Sequence, residues 1–171
     1  GNNGRAYAAA NTSAVGSGFA NNAIASTNTT VVELYDGTGV YLRNGLTNAT
    51  GGYSFVERAG SYQIRVVNST VKSVRGAAGV SPVQTYRANA SSGTAVAVTN
   101  EVGGAAPADT DAVANGGASS LATLNAPAGV TVQSLTPVTT STANIPGLDF
   151  GFNFDTIVNT NDTGQGSLRQ F

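Results

Sequence analysis

Between Thr30 and Arg75 the chain changes character about every 8–12 residues, and that punctuation limits the fold more than any other feature of the sequence. Val32 and Leu34 alternate with Val31, Glu33 and Tyr35 until Asp36-Gly37 interrupts them. Asp-Gly is a strong hairpin signal because both central turn positions tolerate positive φ. A strand resumes over Val40 to Arg43, and Asn48 to Gly52 reads as a second turn. Tyr53 and Phe55 fall on one face of the next strand, and Glu57 to Gly60 turns again. Tyr62, Ile64 and Val66 then share a face opposite Gln63 and Arg65. No window keeps an apolar i, i+3, i+4, i+7 pattern for three helical turns. Short alternating segments bounded by Gly and Asn predict an all-β chain built as an antiparallel Ig-like or transthyretin-like sandwich.

The remaining segments extend that prediction. Val83 to Arg87, Thr94 to Thr99, Leu121 to Leu124 and Val130 to Leu135 read as strands, and Gly103 to Gly117 as a long loop. The strictest alternation comes last: Leu148, Phe150, Phe152 and Phe154 point one way, and Asp149, Gly151, Asn153 and Asp155 the other. That Phe face needs a cover, either a second sheet or another chain. The expected organisation is an extended N-terminal segment over residues 1–28, a sandwich over 29–155 with an insertion over 76–117, and a tail or linker over 156–171.

Composition removes most catalytic chemistries. The chain has no Cys and no His, so it holds no disulfide, thiolate nucleophile, imidazole ligand or His-based triad. Lys and Arg number 8 and Asp and Glu 9, which gives a net charge of -1 and no basic footprint for nucleic acid. No apolar run reaches the ~20 residues of a membrane-spanning helix. Asp149 and Asp155, six residues apart on one strand face, would stand about 20 Å apart. A glycosidase pair needs ~5–10 Å. No enzyme activity and no cofactor are therefore expected. Oxygen-rich clusters leave calcium as the one candidate metal, at Asp109 and Asp111 or at Asn159, Asn161 and Asp162. Sequons occur at Asn11, Asn28, Asn48, Asn68, Asn89 and Asn161. Tyr35, Tyr53, Phe55 and Tyr62 read as core, with a glycan-stacking platform as the alternative.

Two stretches resemble known families. Val31-Val-Glu-Leu-Tyr-Asp36, Thr47-Asn-Ala-Thr-Gly-Gly-Tyr-Ser-Phe55 and Gly60-Ser-Tyr-Gln-Ile-Arg-Val-Val67 resemble the B-repeat and carboxypeptidase-regulatory-like domains of bacterial surface proteins. The resemblance implies a transthyretin-like sandwich with aromatics between its sheets. Some B-repeat domains carry a Lys–Asn isopeptide bond assisted by an acid. The sole Lys here, Lys72, follows the Tyr62–Val67 strand instead of lying in the first strand, and Glu33 and Glu57 are the candidate acids. The tail from Asp155 to Phe171, with Asn159-Thr-Asn-Asp-Thr-Gly-Gln-Gly-Ser-Leu-Arg-Gln170, resembles the lead-in to parallel β-helices of large secreted bacterial adhesins.

The ends and the surface complete the reading. The chain starts at Gly1 and contains no Met, as expected of a processed product or a piece of a longer precursor. Ser, Thr and Asn number 15, 21 and 17, so the surface is wettable but weakly self-repelling. Arg5, Ala6, Tyr7, Ala8, Ala9 and Ala10 form a short segment able to add to a sheet edge, its own or a neighbour's. The expectation is a non-catalytic extracellular protein of the bacterial cell surface, partnered by copies of itself head-to-tail in a fibre. The alternative is a monomeric spacer or glycan-binding module of a large adhesin, with its ligand groove in the 76–117 region.

Overall fold

The computed structural model describes residues 30–48, 51–71, 82–91, 94–98, 120–125 and 132–153, with positions 157, 160, 162 and 168–170. Seven strands are present in these residues: β1 (Val31–Asp36), β2 (Tyr41–Leu46), β3 (Gly60–Val66), β4 (Val83–Ser91), β5 (Thr94–Val98), β6 (Leu135–Thr140) and β7 (Phe150–Asn153). One short helix, α1 (Leu121–Asn125), lies between β5 and β6. The chain is all-β, as expected. The strands form a single mixed sheet in the order β2-β1-β3-β6-β4-β5, with β7 also on β4. The expected purely antiparallel arrangement is corrected at one junction, where β4 and β6 run parallel.

The sheet forks at β4. Ala90 is register partner to both Ala95 of β5 and Val138 of β6, and Arg87 to both Val98 of β5 and Phe150 of β7. A strand has two edges, so β5 occupies one while β6 and β7 share the other. The fork brings Phe152 into the same apolar cluster as Val32, Leu34, Ile64, Val66 and Val138. Leu148 and Phe150 pack against that cluster from the rim. The cover expected for the Phe face is thus the β1-β3-β6 surface. Only Phe150 and Phe152 of the alternating run lie in β7. Leu148 precedes the strand, and Phe154 falls outside the described residues.

β1 is buried on both faces. Val32 and Leu34 enter the Phe152 cluster, while Tyr35 joins a second cluster with Leu121, Leu124 and Val132. Successive strand residues alternate in direction, so the two clusters sit on opposite faces. Burying each large aliphatic side chain contributes at most about 1.5–3 kcal/mol. The second face also carries a charge pair. Glu33 and Arg65 are register partners across β1 and β3. Their charged groups meet at 2.7 Å with side-chain exposures of 0% and 1%. Tyr35 donates its hydroxyl to the same Glu33 Oε2 at 2.5 Å. The Tyr41 ring meets Tyr35 edge-on at 5.7 Å, and its hydroxyl pKa is pushed up by burial and by the Glu33 charge.

The local expectations need four corrections. The β1–β2 turn places its positive φ at Gly39 (88°), not at the Asp-Gly step. Asp36 Oδ1 instead accepts from the Thr38 amide, the Thr38 hydroxyl and the Val40 amide at 2.8, 2.7 and 2.9 Å. This makes a three-residue loop closed by a left-handed Gly. Those donors hold the Asp36 carboxyl below its usual range, the Thr38 hydroxyl first. Tyr53 and Phe55 lie in an irregular segment that pairs with no strand, although both pack on the core. Leu121 to Leu124 is helical, with Ser120 Oγ accepting from the Thr123 amide at 3.2 Å as an N-cap. Of the strand expected over Val130 to Leu135, Val130 and Thr131 lie outside the described residues, Val132 to Ser134 are not strand, and β6 begins at Leu135 and continues through Pro137.

The buried pair sets a measurable expectation. Glu33→Gln removes the carboxylate charge that faces the buried Arg65 and is expected to cost ~3–5 kcal/mol. Glu33→Leu combined with Arg65→Met removes both charges and is expected to cost far less. Denaturant unfolding of the three proteins checks the ordering. By the same measurement, Gly39→Ala is expected to lose ~1–2 kcal/mol, because a Cβ there takes on a left-handed conformation.

Candidate functional site

A groove of about 570 Å³ opens on the Phe152 side of the sheet. Its floor is Leu34, Tyr62, Ile64 and Val138, contributed by β1, β3 and β6. One wall is the irregular segment 51–57 and the other is segment 140–149. The sandwich reading missed this groove because both walls are largely irregular backbone outside the strands.

The first wall is held from its two ends. At the start, Asn48 and Gly52 exchange bonds: the Asn48 amide donates to the Gly52 carbonyl and Asn48 Oδ1 accepts from the Gly52 amide, each at 2.9 Å. At the far end Arg43 of β2 clamps three groups. Its guanidinium donates to the Val56 carbonyl at 2.5 Å, pairs with Glu57 at 2.7 Å and stands 5.8 Å from the Phe55 ring centre. Phe55 packs over Gly45 of β2, where a Cβ would meet the ring at 3.6 Å, an ordinary contact distance. Tyr53 and Phe55 form a tilted pair at 6.0 Å. The Tyr53 hydroxyl crosses to the second wall and donates to the Leu148 carbonyl at 2.5 Å.

The second wall starts at Thr140, whose hydroxyl accepts from the Gly60 amide at 3.0 Å and lies 2.9 Å from the Arg58 carbonyl. Ser141 to Asn144 are exposed, and Gly147 turns the chain with φ 81°. Asp149 follows. Its carbonyl accepts from the Ala88 amide at 2.9 Å and so anchors the wall to β4. Among the described residues no Lys or Arg pairs with its carboxylate, and Oδ2, shielded from water, has no hydrogen-bond partner. Burial pushes the Asp149 pKa up to about 6. Burial, and then the Asp149 charge, drive the Tyr53 hydroxyl well above its ordinary range, so it remains a donor.

The residues singled out in the sequence fall as follows. Arg5 to Ala10, Asp109, Asp111, Asn159, Asn161, Phe154, Asp155 and Lys72 lie outside the described residues. Asp162 pairs with Arg169 at 3.0 Å on the surface. Glu33 and Glu57, the candidate isopeptide acids, are engaged by Arg65 and Arg43. Among the described residues no group of three or more Asp or Glu gathers in a metal-binding cluster. No described helix is long and apolar enough to cross a membrane. Three sequon asparagines have structural partners: Asn48 as above, Asn68 accepting from Ser134 at 2.6 Å, and Asn89 beside the Thr136 hydroxyl at 2.6 Å. Asn68 is only 2% exposed, which closes it to modification in the folded protein. β4 and β5 fall within 76–117 and are part of the sheet. The groove is built by 51–57 and 140–149.

Comparison of the chain with protein-family models, curated proteins and solved structures gives no match in any of the three.

Asp149 has a defined effect on stability. Its folded pKa, about 6, lies above the ordinary aspartate value of 3.8. The folded state therefore holds the proton more tightly than the unfolded state. Stability from this group is complete below pH ~4 and is lost as pH rises towards 6. Asp149→Asn is expected to remove that slope and to gain on the order of 1 kcal/mol at pH 7, after allowance for solvent screening of a partly exposed group. Urea unfolding of both proteins at pH 5 and pH 7 measures it.

Proposed function

We propose that the chain is a non-catalytic structural protein of the bacterial cell surface, folded as an Ig-like or transthyretin-like β-sandwich and assembled head-to-tail by strand exchange. The observation that carries this reading is the state of the outer strand β2. Among the described strands β2 pairs with β1 alone; on it Leu42 and Leu46 are 42% and 61% exposed, and Val40, just ahead of it, is 47% exposed and bridged to Ser120. Monomeric sheet proteins blunt such edges with charge, Pro or a covering segment. The single charged residue of β2, Arg43, is instead turned onto Glu57 and Phe55. An edge left apolar in this way suits addition of an extended segment, whose backbone supplies affinity and whose alternate side chains supply specificity. Residues Arg5 to Ala10 are the proposed donor. A head-to-tail contact of this type does not close on itself and grows a fibre.

The clustering of Phe150 and Phe152 over the β1-β3-β6 face supports the two-layer form of the fold. The resemblance of residues 31–67 to surface-protein domains supports the location.

Negative-stain microscopy and sedimentation of the full chain test the reading. Uniform fibres with a regular repeat are expected. Deleting residues 1–12, or introducing Leu42→Lys with Leu46→Lys, is expected to leave a folded protein by circular dichroism that sediments as single particles. Fibres that persist in the deletion would refute strand exchange from the N-terminal segment. Compact single particles of the full chain would move the assignment to a monomeric spacer module.

A further inference from the structure

We propose that segment 141–149, the second wall of the groove, is an acid-closed latch, seated on the sheet while the Asp149 carboxyl is protonated and released from it when that carboxyl ionises.

The wall is lightly attached. Thr140 fixes one end through the Gly60 amide, and β7 fixes the other from Phe150 onward. Among the described residues, two hydrogen bonds join the stretch between them to the rest of the protein. The Tyr53 hydroxyl donates to the Leu148 carbonyl at 2.5 Å, and the Ala88 amide donates to the Asp149 carbonyl at 2.9 Å. No residue from 141 to 149 belongs to a strand. Ile145 and Leu148 pack against the Phe152 cluster, so the wall rests on the core without entering a ladder.

Both bonds end on residues 148 and 149, and the shielded oxygen belongs to the second of these. The seating that makes the bonds is therefore the seating that closes Oδ2 to water. A protonated carboxyl tolerates that position far better than a carboxylate, which loses its hydration and gains no partner. Release gives the carboxylate its water back, and water replaces the two lost bonds.

No neighbouring cation holds the charge in place. The titratable and charged groups on the elements around Asp149 are Tyr53 and Glu57 on the first wall, Tyr62 and Arg65 on β3, and Tyr86 and Arg87 on β4. Glu57 pairs with Arg43, Arg65 with Glu33, and Arg87 donates to the Leu135 carbonyl. β5, β6 and β7 carry no titratable side chain. Burial pushes the closed carboxyl up to about 6, against an ordinary 3.8. The closed form thus binds the proton more tightly than the open one, and its advantage shrinks as pH rises towards 6. Those two values make the ratio of open to closed wall rise about tenfold between pH 5 and pH 7. The groove then has two walls in acid and is increasingly open on the 141–149 side at neutral pH.

Hydrogen exchange of the full chain, followed by NMR at pH 5 and pH 7 and expressed as protection factors, tests the latch. The Ala88 amide reports the wall. The Val66 and Val67 amides, bonded to the Ser134 and Val31 carbonyls at 3.0 Å, report the sheet. Ala88 is expected to be at least ~10-fold less protected than either, with exchange unaffected by low urea, as for an opening that leaves the rest folded. Its protection is expected to fall about tenfold from pH 5 to pH 7, and Asp149→Asn to abolish that fall. Tyr53→Phe removes one of the two bonds and is expected to lower Ala88 protection about fivefold at both pH values, with the pH dependence kept. Ala88 protection equal to that of the sheet amides, and equally sensitive to urea, would overturn the proposal, because the wall would then open only with the whole fold. So would Ala88 protection that is the same at both pH values, or that falls as much in Asp149→Asn.

Discussion

The pairing of Glu33 with Arg65 is the constraint on which the rest of the structure depends. β1 and β3 are each covered on both faces, so apolar patterning alone does not choose their register. A slip of one residue is excluded because it turns every side chain to the wrong face. A slip of two keeps the faces and costs the apolar cluster little, since Val, Leu and Ile interchange there. It would, however, carry Glu33 away from Arg65 and leave two charges buried apart. The pair adds little net stability compared with an apolar replacement, yet it makes the wrong register expensive. Tyr35, donating to the same carboxylate oxygen, raises that penalty further.

That register has consequences on the opposite face. With Leu34 against Ile64, Asp36 falls against Tyr62, and Tyr62 joins Leu34 and Ile64 in the floor of the groove. With Leu34 against Arg43 and Val32 against Gly45 on the other side, β2 presents one cation and one bare backbone position to the segment passing over it. Phe55 takes the bare position and Glu57 the cation. The irregular wall is therefore templated residue by residue by β2, although it shares no strand ladder with it. A wall fixed by side chains instead of a ladder leaves its own backbone and the space beneath it open, and this is how a groove arises beside a sheet that would otherwise be closed.

The sequence made the strand faces legible wherever alternation was strict. Val32 and Leu34, Tyr62 to Val66, and Phe150 with Phe152 all pack as their period predicts. It failed where a local signal outweighed the period. Leu121-Ala-Thr-Leu124 suits a strand by its ends, but Ser120 caps a helical turn and the Leu121 amide is captured by the Gly39 carbonyl at 2.8 Å. Leu135-Thr-Pro-Val-Thr-Thr140 forms a strand although Pro cannot donate to a ladder. It is accommodated because Pro137 pairs with Gln63 and is exposed, on a strand that meets β4 at a single register position. The Asp149 environment was not legible at all. A carboxylate on the polar side of an alternating run reads as solvated, and only the wall returning through Gly147 and Tyr53 removes its water.

The scarcity of charge acquires a meaning from where the charges sit. With 8 basic and 9 acidic residues in 171, each one that turns inward leaves the surface plainer. Glu33 and Arg65 are buried together, Arg43 and Glu57 fasten the groove wall, Asp36 closes a turn, and Arg87 donates to the Leu135 carbonyl. Charges placed in this way hold shape and do little to repel a neighbour. What faces outward over much of the described surface is Ser, Thr, Asn and an apolar strand edge, separated from other copies by a net charge of only -1. Long-range repulsion between such surfaces is weak at any ionic strength, so short-range complementarity decides whether two copies stay together. The same economy of charge that gives the sheet one register therefore leaves little charge on its surface to repel another copy.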